Sequence, residues 1–99
     1  MKELLVRFDE PISGDTGAFV AQVWGEEHSG GTWEGWIEFT PSGGGPALST
    51  ERETTQPNRT DLGYWATGLS RVYLEGALRR ATDRARAAGA QPGRRSQGS

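Results

Sequence analysis

The sequence predicts an α+β fold: a four-stranded antiparallel β-meander with one face packed by one broken or two C-terminal helices. Two observations predict it. Up to about residue 55, apolar and polar residues alternate with a period of two, interrupted by glycine- and proline-bearing stretches of turn length. After Pro57 the period lengthens to that of an amphipathic helix and holds to residue 89.

In the first strand Leu4, Val6 and Phe8 share a face, and Pro11 ends it before a turn around Ser13-Gly14-Asp15. The second strand runs from about Thr16 to Glu26, with Phe19, Ala21 and Val23 on one side and Val20 and Trp24 on the other. A loop through His28, Gly30 and Gly31 leads to a third strand, Thr32–Thr40. There Trp33, Ile37 and Phe39 oppose Glu34, Trp36 and Glu38. Pro41–Pro46 connects to a polar fourth strand, about Ala47–Thr55. Asn58 or Thr60 caps the first helix, with Asp61 near its positive end. Its apolar stripe is Leu62, Trp65, Ala66 and Leu69. Gly68 breaks the run, Ser70 caps the second helix, and Leu74, Ala77, Leu78, Ala81 and Ala85 form its stripe. Glu75–Arg79 and Arg80–Asp83 pairs are expected on its outer side, and Gly89 is expected to end it. Residues 1–89 therefore read as one α+β domain and 90–99 as a disordered basic and polar tail.

Composition narrows the function. Only 33% of the 99 residues are hydrophobic, so the core is small and leans on the aromatic side chains. The absence of cysteine removes disulfides and thiolate metal sites and suits a cytoplasmic protein. No apolar run approaches the ~18 residues of a membrane span. The net charge of −2 conceals a division: residues 1–66 carry eleven acids against four bases, and residues 67–99 carry seven arginines against Glu75 and Asp83. An acidic sheet and a basic helical end attract one another, other copies or separate partners.

Three features are candidates for function. If Leu4, Val6 and Phe8 face the helices, then Leu5, Val20, Trp24 and Trp36 lie on the opposite face, where a one-sided sheet normally presents polar residues. Tryptophan there points to a contact surface, for a protein partner or for a second copy in a homodimer. A reversed register or an overlying loop is the structural alternative. The second feature is the fourth strand. Any face it turns inward carries a charge, so an Arg52–carboxylate pair is expected, with Glu53 or Asp61 as partner. Arg52, Glu53, Thr55, Gln56 and Asn58, with Tyr64 nearby, then form a polar rim between this strand and the first helix. Plain edge protection accounts for the same charges more economically.

The third feature is the arginine-rich helix, for which nucleic-acid binding is the sharp interpretation. The accompanying acids, the pI of about 5.4 and the lack of a known nucleic-acid signature weigh against it. Catalysis is a further alternative, a small hydrolase or isomerase using Glu53 or Glu51 with Arg52 as anion holder. No histidine accompanies these acids, His28 stands alone in its loop, and no serine has a nucleophile-elbow context. The sequence thus favours a non-enzymatic interaction module without cofactor, metal or membrane.

Overall fold

Outer strands that break in two give the sheet six strands rather than four. The computed structural model describes residues 1–90 of the chain, so the expected tail, apart from its first residue, lies outside the described residues. β1 (Glu3–Arg7) and β2 (Ile12–Gly14) succeed one another along one edge of β3 (Gly17–Glu27). The other edge of β3 pairs with β4 (Trp33–Pro41), whose free side takes β5 (Leu48–Ser49) and β6 (Thr54–Gln56). All pairings are antiparallel. The two helices, α1 (Arg59–Thr67) and α2 (Arg71–Ala90), follow in sequence. The fold class is the one the alternation predicts.

The β3–β4 hairpin is the spine of the sheet. Its loop closes with the His28 amide donating to the Thr32 carbonyl at 2.8 Å, and Gly30 and Gly31 take positive φ values of 89° and 87° there. Register then sets Val23 opposite Ile37, Trp24 opposite Trp36 and Gly25 opposite Gly35. Phe19, Ala21, Val23, Ile37 and Phe39 are buried against Leu74, Ala77, Leu78 and Ala81 of α2 and Ala66 of α1. Their alternates on β3 and β4, including Val20, Trp24 and Trp36, are half-buried, apart from the exposed Thr40. One side of the sheet is thus the core, and no helix among the described residues lies on the other.

Local chemistry starts and stops the helices where expected. Asn58 Oδ1 accepts from the Asp61 amide at 2.8 Å, and Gly68 closes α1 through its amide to the Tyr64 and Trp65 carbonyls. Ser70 Oγ accepts from the Tyr73 amide at 3.1 Å, opening α2. α2 runs to Ala90, through rather than up to Gly89, since one glycine in a final turn costs only about 1 kcal/mol relative to alanine. The side-chain pairs on α2 also differ from the expected ones. Glu75 pairs backward with Arg71 at 3.3 Å, and Asp83 pairs forward with Arg86 while Arg80 turns inward to the sheet.

β1 holds a correction. Leu4 pairs with Trp24 and the next ladder pair is Val6 with Val23, so Leu5 is an extra, bulged residue. The bulge turns Leu5 toward the helices, where it packs against the core; a methyl at Gly25 would come within 3.1 Å of it. Leu4, 42% exposed, takes the place beside Trp24 instead. Val6 and Phe8 remain with the core as expected.

Candidate functional site

The helix-free face is built from β3 and β4, with β1 along one side. Trp24 and Trp36 stand directly opposite one another at its centre. Leu4 extends the apolar row outward from Trp24, and Val20 lies further along β3 opposite Thr40. Flanking the tryptophans are the opposed pairs Gln22–Glu38 and Glu26–Glu34. Even-numbered residues of both strands share this side because the pleat alternates, so two indoles and three carboxylates are held on a rigid hairpin.

Side chains from flanking segments meet these groups. Lys2 Nζ lies 4.5 Å from the centroid of the Trp24 ring and 3.3 Å from Glu38 Oε2. Arg52 Nη1 donates to Glu34 Oε2 at 3.2 Å, and His28 Nε2 lies 3.0 Å from the other Glu34 oxygen. The Trp24 indole nitrogen is buried and has no hydrogen-bond partner among the described residues. Such an unsatisfied donor is uncommon in folded proteins.

The polar rim expected beside β6 does not assemble as one cluster. Between β5 and β6 the Thr50 amide donates to the Ile37 carbonyl and the Glu53 amide to the Gly35 carbonyl, at 2.9 and 2.8 Å. Three steps on the outer chain therefore span two on β4, a bulge that turns both Thr50 and Glu53 inward. Thr50 is 4% exposed, and its Oγ1 accepts from the Ile37 amide at 3.1 Å. The Glu53 side chain, 10% exposed, accepts from Tyr73 Oη and Arg80 Nη2, each at 2.5 Å. An inward charge does exist, but it is Glu53 with Arg80. Arg52 pairs with neither Glu53 nor Asp61; the bulge leaves it outside, reaching Glu34 on the helix-free face.

The remaining rim residues separate likewise. Thr55 is exposed and paired with Glu34, Gln56 Nε2 donates to Thr54 Oγ1 at 2.7 Å, Asn58 is the helix cap, and Tyr64 is exposed on α1. Burial, together with the hydrogen bond to Glu53, pushes the Tyr73 hydroxyl above the ordinary tyrosine value. An open groove of about 630 Å³ passes over Thr50, Glu53, Arg80 and Arg84, but Arg84 there pairs with Glu51 at 3.7 Å. Its charges neutralise one another and join the outer strand to α2.

That joining resolves the charge division in the sequence. Arg71 reaches Glu10 at 3.2 Å, Arg86 reaches Asp15 at 3.8 Å, and Arg80 and Arg84 reach Glu53 and Glu51. On α1, Arg59 forks onto Glu3, with Nε 2.9 Å from Oε2, and holds that carboxyl below its usual range. Much of the basic helical surface thus answers the acidic strands within the same molecule. No group of acids, histidines or cysteines suited to a metal ion occurs among the described residues, and no helix there is long and apolar enough to cross a membrane.

The alternation places Val20, Trp24 and Trp36 on the face where they lie, and it gives no sign of Leu4, Lys2 or the Glu53–Tyr73–Arg80 cluster. A one-residue bulge leaves no mark in the pattern of residue types, which is why Leu5 was expected where Leu4 lies. In comparison with known proteins, the chain matches no family model, no curated protein and no solved structure.

Proposed function

We propose that the chain is a small non-enzymatic protein-interaction module that docks through the helix-free face of its sheet. The observation that carries the proposal is the opposed Trp24–Trp36 pair, half-buried on the side away from both helices and extended by Leu4 and Val20. Tryptophan contributes more contact area per residue than any other side chain on this face and is enriched among residues that dominate binding energy. The dispersal of Arg52, Glu53 and Glu51 over different partners favours this reading over a hydrolase or isomerase, whose acid and anion holder must converge. The partner is another protein or a second copy of the chain, and the cysteine-free composition accommodates work in the cytoplasm.

The test compares wild type with Trp36→Glu in sedimentation velocity and in pull-down from native lysate. Loss of a specific partner, or of a dimer, in a variant that keeps its thermal transition supports the proposal. Identical sedimentation and an identical captured set for the two proteins reject it.

A further inference from the structure

We infer that the helix-free face takes a lysine or arginine side chain from an extended basic segment of a partner protein, and that Lys2 occupies that place in the free molecule. The inference rests on the function proposed above and adds the chemistry of the partner. An ammonium held between the face of an indole and a carboxylate is a favourable arrangement for a cation, and Lys2 over Trp24 and against Glu38 is such an arrangement made within one chain.

The charge pattern points the same way. Glu26 and Glu34 are directly opposed across β3 and β4, a pairing of like charges that disfavours the sheet unless cations approach. The cations that approach these acids come from flanking segments: the Met1 ammonium on Glu26 at 3.3 Å, Lys2 before β1 on Glu38 and Arg52 in the bulge on Glu34, where His28 Nε2 also lies. Their side chains are about half or more exposed, and exposed ion pairs hold weakly. The carboxylates and indoles are therefore fixed on the hairpin, while the cations are the exchangeable half. Nucleic acid would bring phosphates against the same carboxylates.

The buried Trp24 N–H adds a second element of recognition. It lacks an acceptor among the described residues. A peptide laid across the face after Lys2 swings away presents carbonyl oxygens to that donor. One extended segment thus supplies both what displaces Lys2 and what satisfies Trp24.

The experiment follows the four indole N–H signals of the ¹⁵N-labelled full chain during titration with the blocked peptide Gly-Lys-Arg-Lys-Arg-Gly. A peptide with glutamine in place of each basic residue is the control. The expected result is saturable movement of Trp24 and Trp36 with the basic peptide alone, while Trp33 and Trp65, on the helix side, stay still. Binding weakens as salt rises from about 20 to 150 mM. Lys2→Ala, which vacates the place, tightens binding about fivefold, and Glu38→Gln weakens it by a similar factor. No movement of Trp24 and Trp36 at about 1 mM peptide overturns the inference, as does unchanged or weaker binding by Lys2→Ala. If those signals move instead on concentrating the protein alone, and Trp36→Glu abolishes a dimer in sedimentation, the face is a seam between copies. In that case the interaction function stands and the basic partner falls. If they respond to neither, and pull-down is unchanged by Trp36→Glu, both fall.

Discussion

Gly25 and Gly35 stand directly opposite one another on β3 and β4, and the side chain of Leu62 from α1 fills the hollow they leave. A methyl group at either position would come within 2.5 to 2.8 Å of a Leu62 methyl, closer than packed carbons tolerate. This glycine pair lets α1 lie close on the sheet at the level next to the Trp24–Trp36 pair.

Gly35→Ala is accordingly expected to destabilise the fold by about 1–3 kcal/mol through overpacking. In a domain of this size that lowers Tm by roughly 4–8 °C per kcal/mol. Combining it with Leu62→Ala makes room for the methyl, so the double variant loses less than the sum of the single losses. Denaturant unfolding of the four proteins checks this, and strict additivity would remove Leu62 as the cause.

Thr50 is the buried hydroxyl of the outer strand, and it holds the Ile37 amide where the bulge interrupts regular pairing. Thr50→Val keeps the shape and leaves that amide without its acceptor, at a cost of about 1–3 kcal/mol. Thr50→Ser keeps the hydroxyl and falls between wild type and Thr50→Val. Amide hydrogen exchange at Ile37, faster in Thr50→Val than in Thr50→Ser, separates this from general loosening.

Tyr73 gives the pH dependence. Its hydroxyl pKa is raised in the folded state by burial and by the Glu53 carboxylate that accepts its hydrogen bond. A group with a raised folded pKa favours the folded state below its unfolded value, and that contribution disappears as pH climbs through the folded value. Stability is therefore expected to fall as pH rises above about 10, the ordinary tyrosine value. Tyr73→Phe has lower stability at neutral pH and a shallower alkaline decline. Urea midpoints from pH 8 to the alkaline limit measure both; an equal slope in the two proteins would place the alkaline decline elsewhere.

The β1 bulge predicts a split between neighbours. Leu5→Ala removes a side chain packed against the core and costs a few kcal/mol, about 2–5 for a fully buried leucine and less for this partly buried one. Leu4→Ser, at an exposed position beside Trp24, changes stability by no more than about 0.5 kcal/mol. If Leu4→Ser proves the more damaging of the two, the register of β1 is reversed.

What was legible in the sequence, and what was not, divides along local regularity. Phe19, Ala21 and Val23 against Val20 and Trp24 is an unbroken alternation, and it places β3 and β4 and both of their faces correctly. Asn58, Gly68 and Ser70 mark the helices through capping chemistry that acts within three or four residues. Leu5 lies on the other face from the one expected, and the inward face of the fourth strand stayed open, because each involves a bulge, where one extra residue reverses parity without a change in residue type. The partners of Arg52 and Arg80 depend on those reversals, so the ion pairs went astray with them. The tryptophan face survives because it rests on the two strands without bulges.

The most direct test of the docking surface is a photo-crosslinking residue, p-benzoylphenylalanine, placed at Val20 on the helix-free face and, separately, at Val72, exposed on α2. The account predicts discrete adducts in native lysate from the Val20 position, lost when Trp36→Glu is added, and none of the same mass from Val72. Equal adducts from both positions, or Val20 adducts indifferent to Trp36→Glu, would contradict it.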